Sequence, residues 1–402
     1  MKKNIIFKNF TTICFLLLIG VFFLLSLLPC ATGAYSALKN HLSGKEKLTL
    51  EVLFSSVEST HEILFPLKNQ FITLNGGFQR LIGMRNVNDR YLLDNGQLTY
   101  IVPEYDITQV AENTIQFQKD LAQQDIPLLY INVPFKIDPD DKQLPAGIED
   151  YANENADAFL SAIENQGTTV LDLRDLEKEA GLDHYSLFFP TDHHWTAEAG
   201  FWGYTEIVKK LQQLDSSFAV DECLTDFENY NQTVYKNIFL GSASQRVGPL
   251  YAGIDDITVI TPKFDTDLRF RNDEFNLDRI GTYEETLIFK EILENKNIFG
   301  VSHYTVYCGK HYDILKIDNN SRSKGLDIQS TPKRILMLKD SFSNVLIPFL
   351  SLSYDEICFL DLRYFDGDLM TFIMEYQPDM VLITYNPGAF ETHNESMFEF
   401  YR

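Results

Sequence analysis

Basic residues are in short supply: 34 Lys and Arg stand against 57 Asp and Glu, a formal net charge of -23 at pH 7. A nucleic-acid surface needs clustered Lys and Arg to displace counterions from phosphate, so this balance argues against nucleic acid as a partner. Cysteine is sparse as well. Cys14 and Cys30 fall in an apolar N-terminal run, and Cys223, Cys308 and Cys358 are scattered with no CxxC spacing. No zinc or iron–sulfur framework can be read from them, at most one disulfide is open to the last three, and we read those three as free buried thiols. Repeats and low-complexity tracts are lacking too. What is present is a chain of 402 residues, 45% apolar, enough to bury the core of one large domain or two ordinary ones.

Lys2, Lys3 and Lys8 precede a nearly unbroken apolar run from Ile13 to Leu28. Such a run is a signal peptide or an uncleaved signal anchor. Ala31, Thr32, Gly33 and Ala34 offer small residues for cleavage, and Pro29 before Cys30 suits a lipoprotein site poorly. We read residues 1–35 as a retained single-pass anchor in the cell membrane, with its basic end inside and the acidic bulk, residues 36–402, extracytoplasmic.

Beyond the anchor the pattern alternates between strand and helix. Residues 36–90 read as a juxtamembrane segment and a helix that Pro66 breaks. NDRYLLDNGQLTYIV has the strand, DNG turn and strand of a hairpin. Residues 107–124 are helical by pattern. IPLLYINVP (126–134) and TTVLDL (168–173) are continuous apolar runs suited to buried parallel strands, with a helix between them around 150–165, which makes a βαβ unit. AEAGFWGYTEIVKKLQQL is a helix capped by Thr196. Residues from about 223 to 330 are rich in Asn, Asp, Gly and Lys, with short alternating segments such as DITVI and HYTVY, and read as a β-rich insertion. The βα rhythm then resumes with RILMLKDSFSN, the helix VLIPFLSL, the strand EICFLDLRYF, the helix TFIMEYQP and the strand DMVLITYN. The fold class is therefore α/β with a parallel sheet.

Two motifs could carry chemistry. In TDHHWT (191–196), an acid and two imidazoles sit in a loop feeding a helix N-terminus. In KDSFSN, Ser341 follows an apolar strand and precedes a helix, which places its hydroxyl at the carboxyl edge of a parallel sheet, where α/β proteins bind ligands. A serine needs a base to become a nucleophile, and the base needs an orienting acid. His194 can be that base and Asp192 that acid, since two residues of a loop separate them. Plainer readings stand beside this one. Ser341 could simply cap its helix, Trp195 and Trp202 could be packing residues with Trp195 walling the site, and Asp192, His193 and His194 could form a zinc or manganese site. A manganese phosphoesterase would need further aspartate clusters at strand ends, and the sequence has none. Asp340 reads as a structural residue bonding its own turn.

TDHHWT ahead of a helix and KDSFSN after a strand, together with LIGMRNV, YLLDNG, INVPFK, GSASQRVG, YAGIDDITVITPKFDT and LITYNP in that order, resemble the DHHW protein family, related to the SGNH-hydrolase-like enzymes of alginate O-acetylation. The resemblance implies a flavodoxin-like α/β/α fold in permuted order, with the Asp-His block ahead of the serine block. It implies Ser341 as nucleophile, His194 as base and Asp192 as orienting acid, without a metal or cofactor. Leu362 and Arg363 would line an oxyanion hole, Asn386 would match the third-block asparagine, and His193 would support the site or touch substrate. Lys339 departs from the glycine usual at its position. The activity implied is O-acyl transfer, in practice O-acetyl, to a cell-surface or exported polysaccharide, with a membrane-bound acyltransferase supplying acetyl groups. A glycan esterase with the same triad, and a catalytically silent anchored glycan-binding or assembly protein, are the alternatives.

Overall fold

Apolar runs in which nearly every side chain is buried become the inner strands of one large sheet. The computed structural model describes residues 2–43, 47–321, 332–390 and 396–401. Its strands are β1 (Asn86–Val87), β2 (Arg90–Leu92), β3 (Leu98–Thr99), β4 (Leu128–Asn132), β5 (Thr169–Asp172), β6 (Tyr230–Phe239), β7 (Asp255–Pro262), β8 (Leu268–Asn272), β9 (Leu277–Gly281), β10 (Ile314–Asn319), β11 (Arg334–Lys339), β12 (Glu356–Leu360) and β13 (Met380–Tyr385). Eight of them form a sheet in the order β5-β4-β13-β11-β12-β10-β8-β9. The five from β5 to β12 are parallel, and β10, β8 and β9 continue antiparallel.

The period of two along these strands divides the core. Ile131, Ile335, Met337, Phe359 and Leu382 face one side, with the helices Ala197–Leu214 and Ile347–Ser353. Tyr130, Leu336, Leu338, Leu360 and Ile383 face the other, with the helices Thr108–Ala122, Ala152–Glu164 and Leu369–Tyr376. A parallel sheet covered on both faces is the α/β/α layering that the resemblance implies. All five parallel strands end at one edge, which carries Asp172, Asn132, Asn386, Ser341 and Asp361 at or just beyond the last paired residues.

The stretch read as a β-rich insertion is partly an extension of this sheet. β8, β9 and β10 come from it, and β10 covers the edge of β12 that would otherwise expose unpaired backbone. β6 and β7 form a separate antiparallel ribbon, and positions 322–331 lie outside the described residues. The NDRYLLDNGQLTYIV segment forms the expected hairpin from β2 and β3, with β1 added on its outer side.

By contact the chain divides into two units, Met1–Phe78 and Gln79–Arg402. The first contains α1 (Lys2–Leu42), α2 (Leu50–Leu64) and most of α3 (Lys68–Leu81). Within α1, Phe10–Leu42 is long and apolar enough to cross a membrane, and the helix continues past the expected anchor end at residue 35. Helix is interrupted around Pro66, between α2 and α3, because proline disfavours helical geometry in the residue before it. Among the described residues, the second unit holds every strand and the site.

Candidate active site

The DHHW loop is closed on itself before it meets anything else. Phe188 and Trp195 form an antiparallel bridge, Phe189 N–H donates to His194 O at 3.1 Å and Thr196 N–H to Leu187 O at 2.7 Å. Thr196 then caps the helix Ala197–Leu214, accepting from Ala199 N at 3.2 Å, as its position at the helix start predicts. Trp195 is fully buried, and its indole N–H donates to Phe342 O at 2.8 Å. Trp195 thereby ties the loop to the turn that carries the serine. The two segments also pack without a spacer, since a Cβ on Gly200 would lie 2.5 Å from Val345 Cγ2.

At the end of β11 the capping role falls to Asp340, not to Ser341. One Asp340 oxygen accepts from Phe342 N at 2.9 Å, and the other accepts from Asn386 N at 2.8 Å and from the Asn386 amide. The Ser341 hydroxyl is thus available, and its Oγ lies 2.7 Å from His194 Nε2. The other ring nitrogen, Nδ1, lies 2.5 Å from Asp192 Oδ1, which also accepts the His194 backbone N–H at 2.9 Å. A carboxylate on Nδ1 fixes the tautomer with its proton there, which leaves Nε2 as the acceptor facing the hydroxyl. Ser242 N donates to the remaining oxygen, Asp192 Oδ2.

Burial raises the Asp192 carboxyl, but His194, His193 and the hydrogen bonds from His194 outweigh it and hold the group well below its ordinary value. His193 is lowered as well, which for an imidazole disfavours the charged form. Burial first, then the neighbouring His194, lowers it from 6.5 to about 3, while its Nδ1 bonds Ser242 Oγ at 3.0 Å. His311, beside Lys339 and Arg363, is also lowered to about 3, again chiefly by burial. A histidine lowered in the folded state binds fewer protons there than in the unfolded chain, so stability falls as pH drops from about 6.5 toward about 3. Asp192 adds to this slope only near and below its ordinary value of 3.8, because a depressed carboxyl keeps its full contribution above that value. Thermal midpoints measured from pH 7 to pH 4 are expected to fall less steeply in a His193→Gln, His311→Gln variant than in the natural chain. Equal slopes would show that both imidazoles titrate normally.

Ser341 opens into a cavity of about 580 Å³ whose walls include Arg90, Tyr100, His193, Arg363 and Asn386. Among the sequence-derived candidates, His193, Arg363 and Asn386 therefore stand beside the serine. Arg363 is held by Asp361 through Nε at 2.9 Å and a terminal nitrogen at 2.7 Å. Asn386 is anchored by Asp340 and by Gly388 N, which donates to its Oδ1 at 2.7 Å. Leu362 places its side chain in the core, on the sheet face opposite the DHHW helix, so only its backbone could serve an oxyanion. Trp195 packs beneath the site rather than walling it. Lys339, the departure from glycine, is buried behind the turn and donates to Asn344 Oδ1 at 3.1 Å.

Ligand atoms of Asp192, His193 and His194 do lie within 4.8 Å of one another. Both His194 nitrogens are engaged, however, by Asp192 and Ser341. A metal would have to displace that hydrogen-bonded chain. Tyr304 escaped the sequence reading. Its ring stacks on His194 at 4.1 Å and 18°, and its hydroxyl donates to Ser341 O at 3.1 Å and Phe342 O at 3.2 Å. Nothing local in HYTVY marks that tyrosine, because its partners are 37 and 38 positions away.

Residues 93–228, which include the DHHW loop, match the family described as ALGX, the SGNH hydrolase-like domain of acetyltransferase AlgX. Over that stretch the chain is similar to an SGNH hydrolase-like domain. Among solved structures, PatB1 from Bacillus cereus is 24% identical, with a TM-score of 0.63 over 77% of this chain and 98% of that one. The same protein with a sulfonyl adduct is 23% identical, at a TM-score of 0.61 over 77% and 99%. A DHHW family protein from Eubacterium siraeum is 18% identical, with a TM-score of 0.57 over 78% and 95%. No curated protein matches by sequence. These likenesses bear out the resemblance seen in the sequence and the SGNH-like fold. The family match ends before Ser341, so the serine half of the site rests on the geometry above.

Proposed function

We propose that this protein is an O-acetyltransferase that modifies a cell-surface or exported polysaccharide through an acyl-serine at Ser341. The observation that carries the proposal is the continuous chain from Ser341 Oγ through His194 to Asp192, opening into a cavity at the carboxyl edge of the parallel sheet. The family match to an acetyltransferase domain supports acetyl as the group moved.

In the first half-reaction His194 Nε2 takes the hydroxyl proton as Oγ bonds to the carbonyl carbon of an acetyl donor. The tetrahedral intermediate collapses, the bond to the leaving group breaks, and the imidazolium returns the proton to it. In the second half-reaction a sugar hydroxyl gives its proton to His194 and attacks the acetyl-serine, which releases the acetylated sugar and restores Ser341. Arg363 and Asn386, which line the same cavity as Ser341, are the side-chain candidates to donate to the intermediate's oxyanion, and a backbone N–H at Leu362 is the third candidate. Each such donor is worth roughly 3 kcal/mol where it is preorganised. Phe10–Leu42 anchors the chain as a single pass with the catalytic unit outside the membrane, where a membrane-bound acyltransferase supplies the acetyl groups.

The test uses full-length protein in detergent, an activated acetyl ester and oligosaccharide acceptors, read by mass spectrometry. Acetylated sugar with the natural chain and none with Ser341→Ala is the expected result, unchanged by a chelator. Free acetate alone would make the protein an esterase, and neither product would make it a binder. Activity that chelation abolishes and Ser341→Ala preserves would turn the Asp-His-His cluster into a metal site.

A further inference from the structure

Three of the runs that carry the family resemblance, INVPFK, GSASQRVG and YAGIDDITVITPKFDT, meet behind the DHHW loop. Lys136, from the first, has no solvent exposure. Its ammonium donates to Phe189 O at 2.6 Å and Asp192 O at 2.7 Å, and lies 3.3 Å from Pro190 O. Three acceptors match the three N–H groups of an ammonium and exceed the two of a neutral amine. Asp255, at the start of β7, accepts the Thr191 backbone N–H at 2.8 Å and the Thr191 hydroxyl at 2.7 Å. From GSASQRVG, Ser244 N donates to Thr191 O at 3.1 Å, Gly241 N to Thr191 Oγ1 at 3.0 Å, and Ser242 N to Asp192 Oδ2.

All four carbonyls from residue 189 to residue 192 are therefore held from behind. Burial pulls the Lys136 ammonium down and pushes the Asp255 carboxyl up, and each charge offsets part of the other's displacement. A buried cation and anion of this kind are costly to desolvate, and removing one leaves the other uncompensated. Neither group reaches Ser341, so their effect on chemistry must pass through the loop they grip.

We propose that Lys136 and Asp255 are positioning residues: a buried cation and carboxylate that lock the backbone of residues 189–192, and so set Asp192 against His194 and His194 against Ser341. The proposal rests on the acyl-serine reading. Displacement of reacting groups by about 1 Å is enough to lower a rate by about 10²-fold, which sets the expected effect.

The experiment compares full-length Lys136→Met, Lys136→Arg and Asp255→Asn proteins in detergent. The readouts are kcat and KM on an activated acetyl ester, the rate and final extent of Ser341 labelling by a sulfonyl fluoride, and the thermal midpoint. Lys136→Met is expected to lower kcat per labelled serine by about 10²-fold with KM nearly unchanged, and to slow labelling in parallel. Asp255→Asn is expected to act in the same direction. Lys136→Arg, which keeps the charge, is expected to recover part of the rate. A fall in midpoint with kcat per labelled serine unchanged would overturn the positioning role and leave only a structural one. If Lys136→Met does not fold, Asp255→Asn and Lys136→Arg decide by the same criterion. A natural chain that neither turns over the ester nor accepts the label would sink the acyl-serine reading instead, so the two failures are distinguishable.

Discussion

Ser341→Ala is expected to lower turnover of an acetyl ester by roughly 10⁴- to 10⁶-fold, the range seen when a triad serine is removed and oxyanion and binding contributions remain. The thermal midpoint should barely move. The turn is capped by Asp340, not by the serine hydroxyl, and Ser341 is not buried. His194→Ala should fall as far, and the double variant no further, because serine and imidazole act as one unit. Steady-state kinetics on the three proteins check this. Ser341→Ala activity within tenfold of the natural chain would remove Ser341 from the chemistry altogether.

Gly241→Val is expected to damage both folding and turnover. Gly241 has φ of −60° and ψ of 161°, which any residue can adopt, so the requirement there is for space. A Cβ would lie 2.3 Å from Thr191 O, 2.5 Å from Thr191 C and 2.6 Å from Asp192 Cβ. Both sides are backbone or short side chain, so relief must come from moving the loop that carries Asp192. Overpacking of this kind costs about 1–3 kcal/mol, and two extra methyls against backbone place valine at the upper end. Urea unfolding should show a lower midpoint, and kcat should fall by more than the loss of folded protein explains. A variant with natural stability and rate would mean that the approach of Gly241 to Thr191 is loose.

These effects meet at one loop, and the two halves of the site differ in how they are encoded. Asp192 and His194 are two positions apart, the turn between them is closed by its own backbone bonds, and Thr196 caps the helix that follows. Every step there is local, so TDHHWT could be read as an acid–base pair from spacing alone. Ser341 was legible as a hydroxyl at a strand end, yet whether it capped a helix or faced a base depended on Asp340, whose carboxylate is bonded by Asn386 from the neighbouring strand. The 147-residue separation of His194 and Ser341 is closed by Trp195 on Phe342 and Gly200 on Val345, contacts without a signature in either segment. Lys136, Tyr304 and Ser242 were missed as site residues for the same reason. Each looks ordinary in its own run and acquires a partner only across the fold.

The extension of the sheet had the same origin. DITVI and HYTVY showed alternation, but DITVI became part of β7, outside the large sheet, and HYTVY became a 3₁₀ turn at His303–Val306. Alternation specifies one covered face and one open face, not the strand alongside. β10 found the free edge of β12, while β6 and β7 paired with each other.

By itself, then, the sequence determined the elements whose causes lie within a few residues: the apolar runs of the parallel strands, the amphipathic helices, the break at Pro66, the apolar N-terminal helix and the Asp192–His194 pairing. The tertiary structure alone decided that His194 meets Ser341, that Asp340 frees the serine hydroxyl, and that Lys136, Asp255 and Gly241 grip the loop from behind. Periodicity and capping act over one or two turns of chain and are written locally. The approach of one loop to another depends on register and packing summed over the whole sheet, and no single segment contains that information.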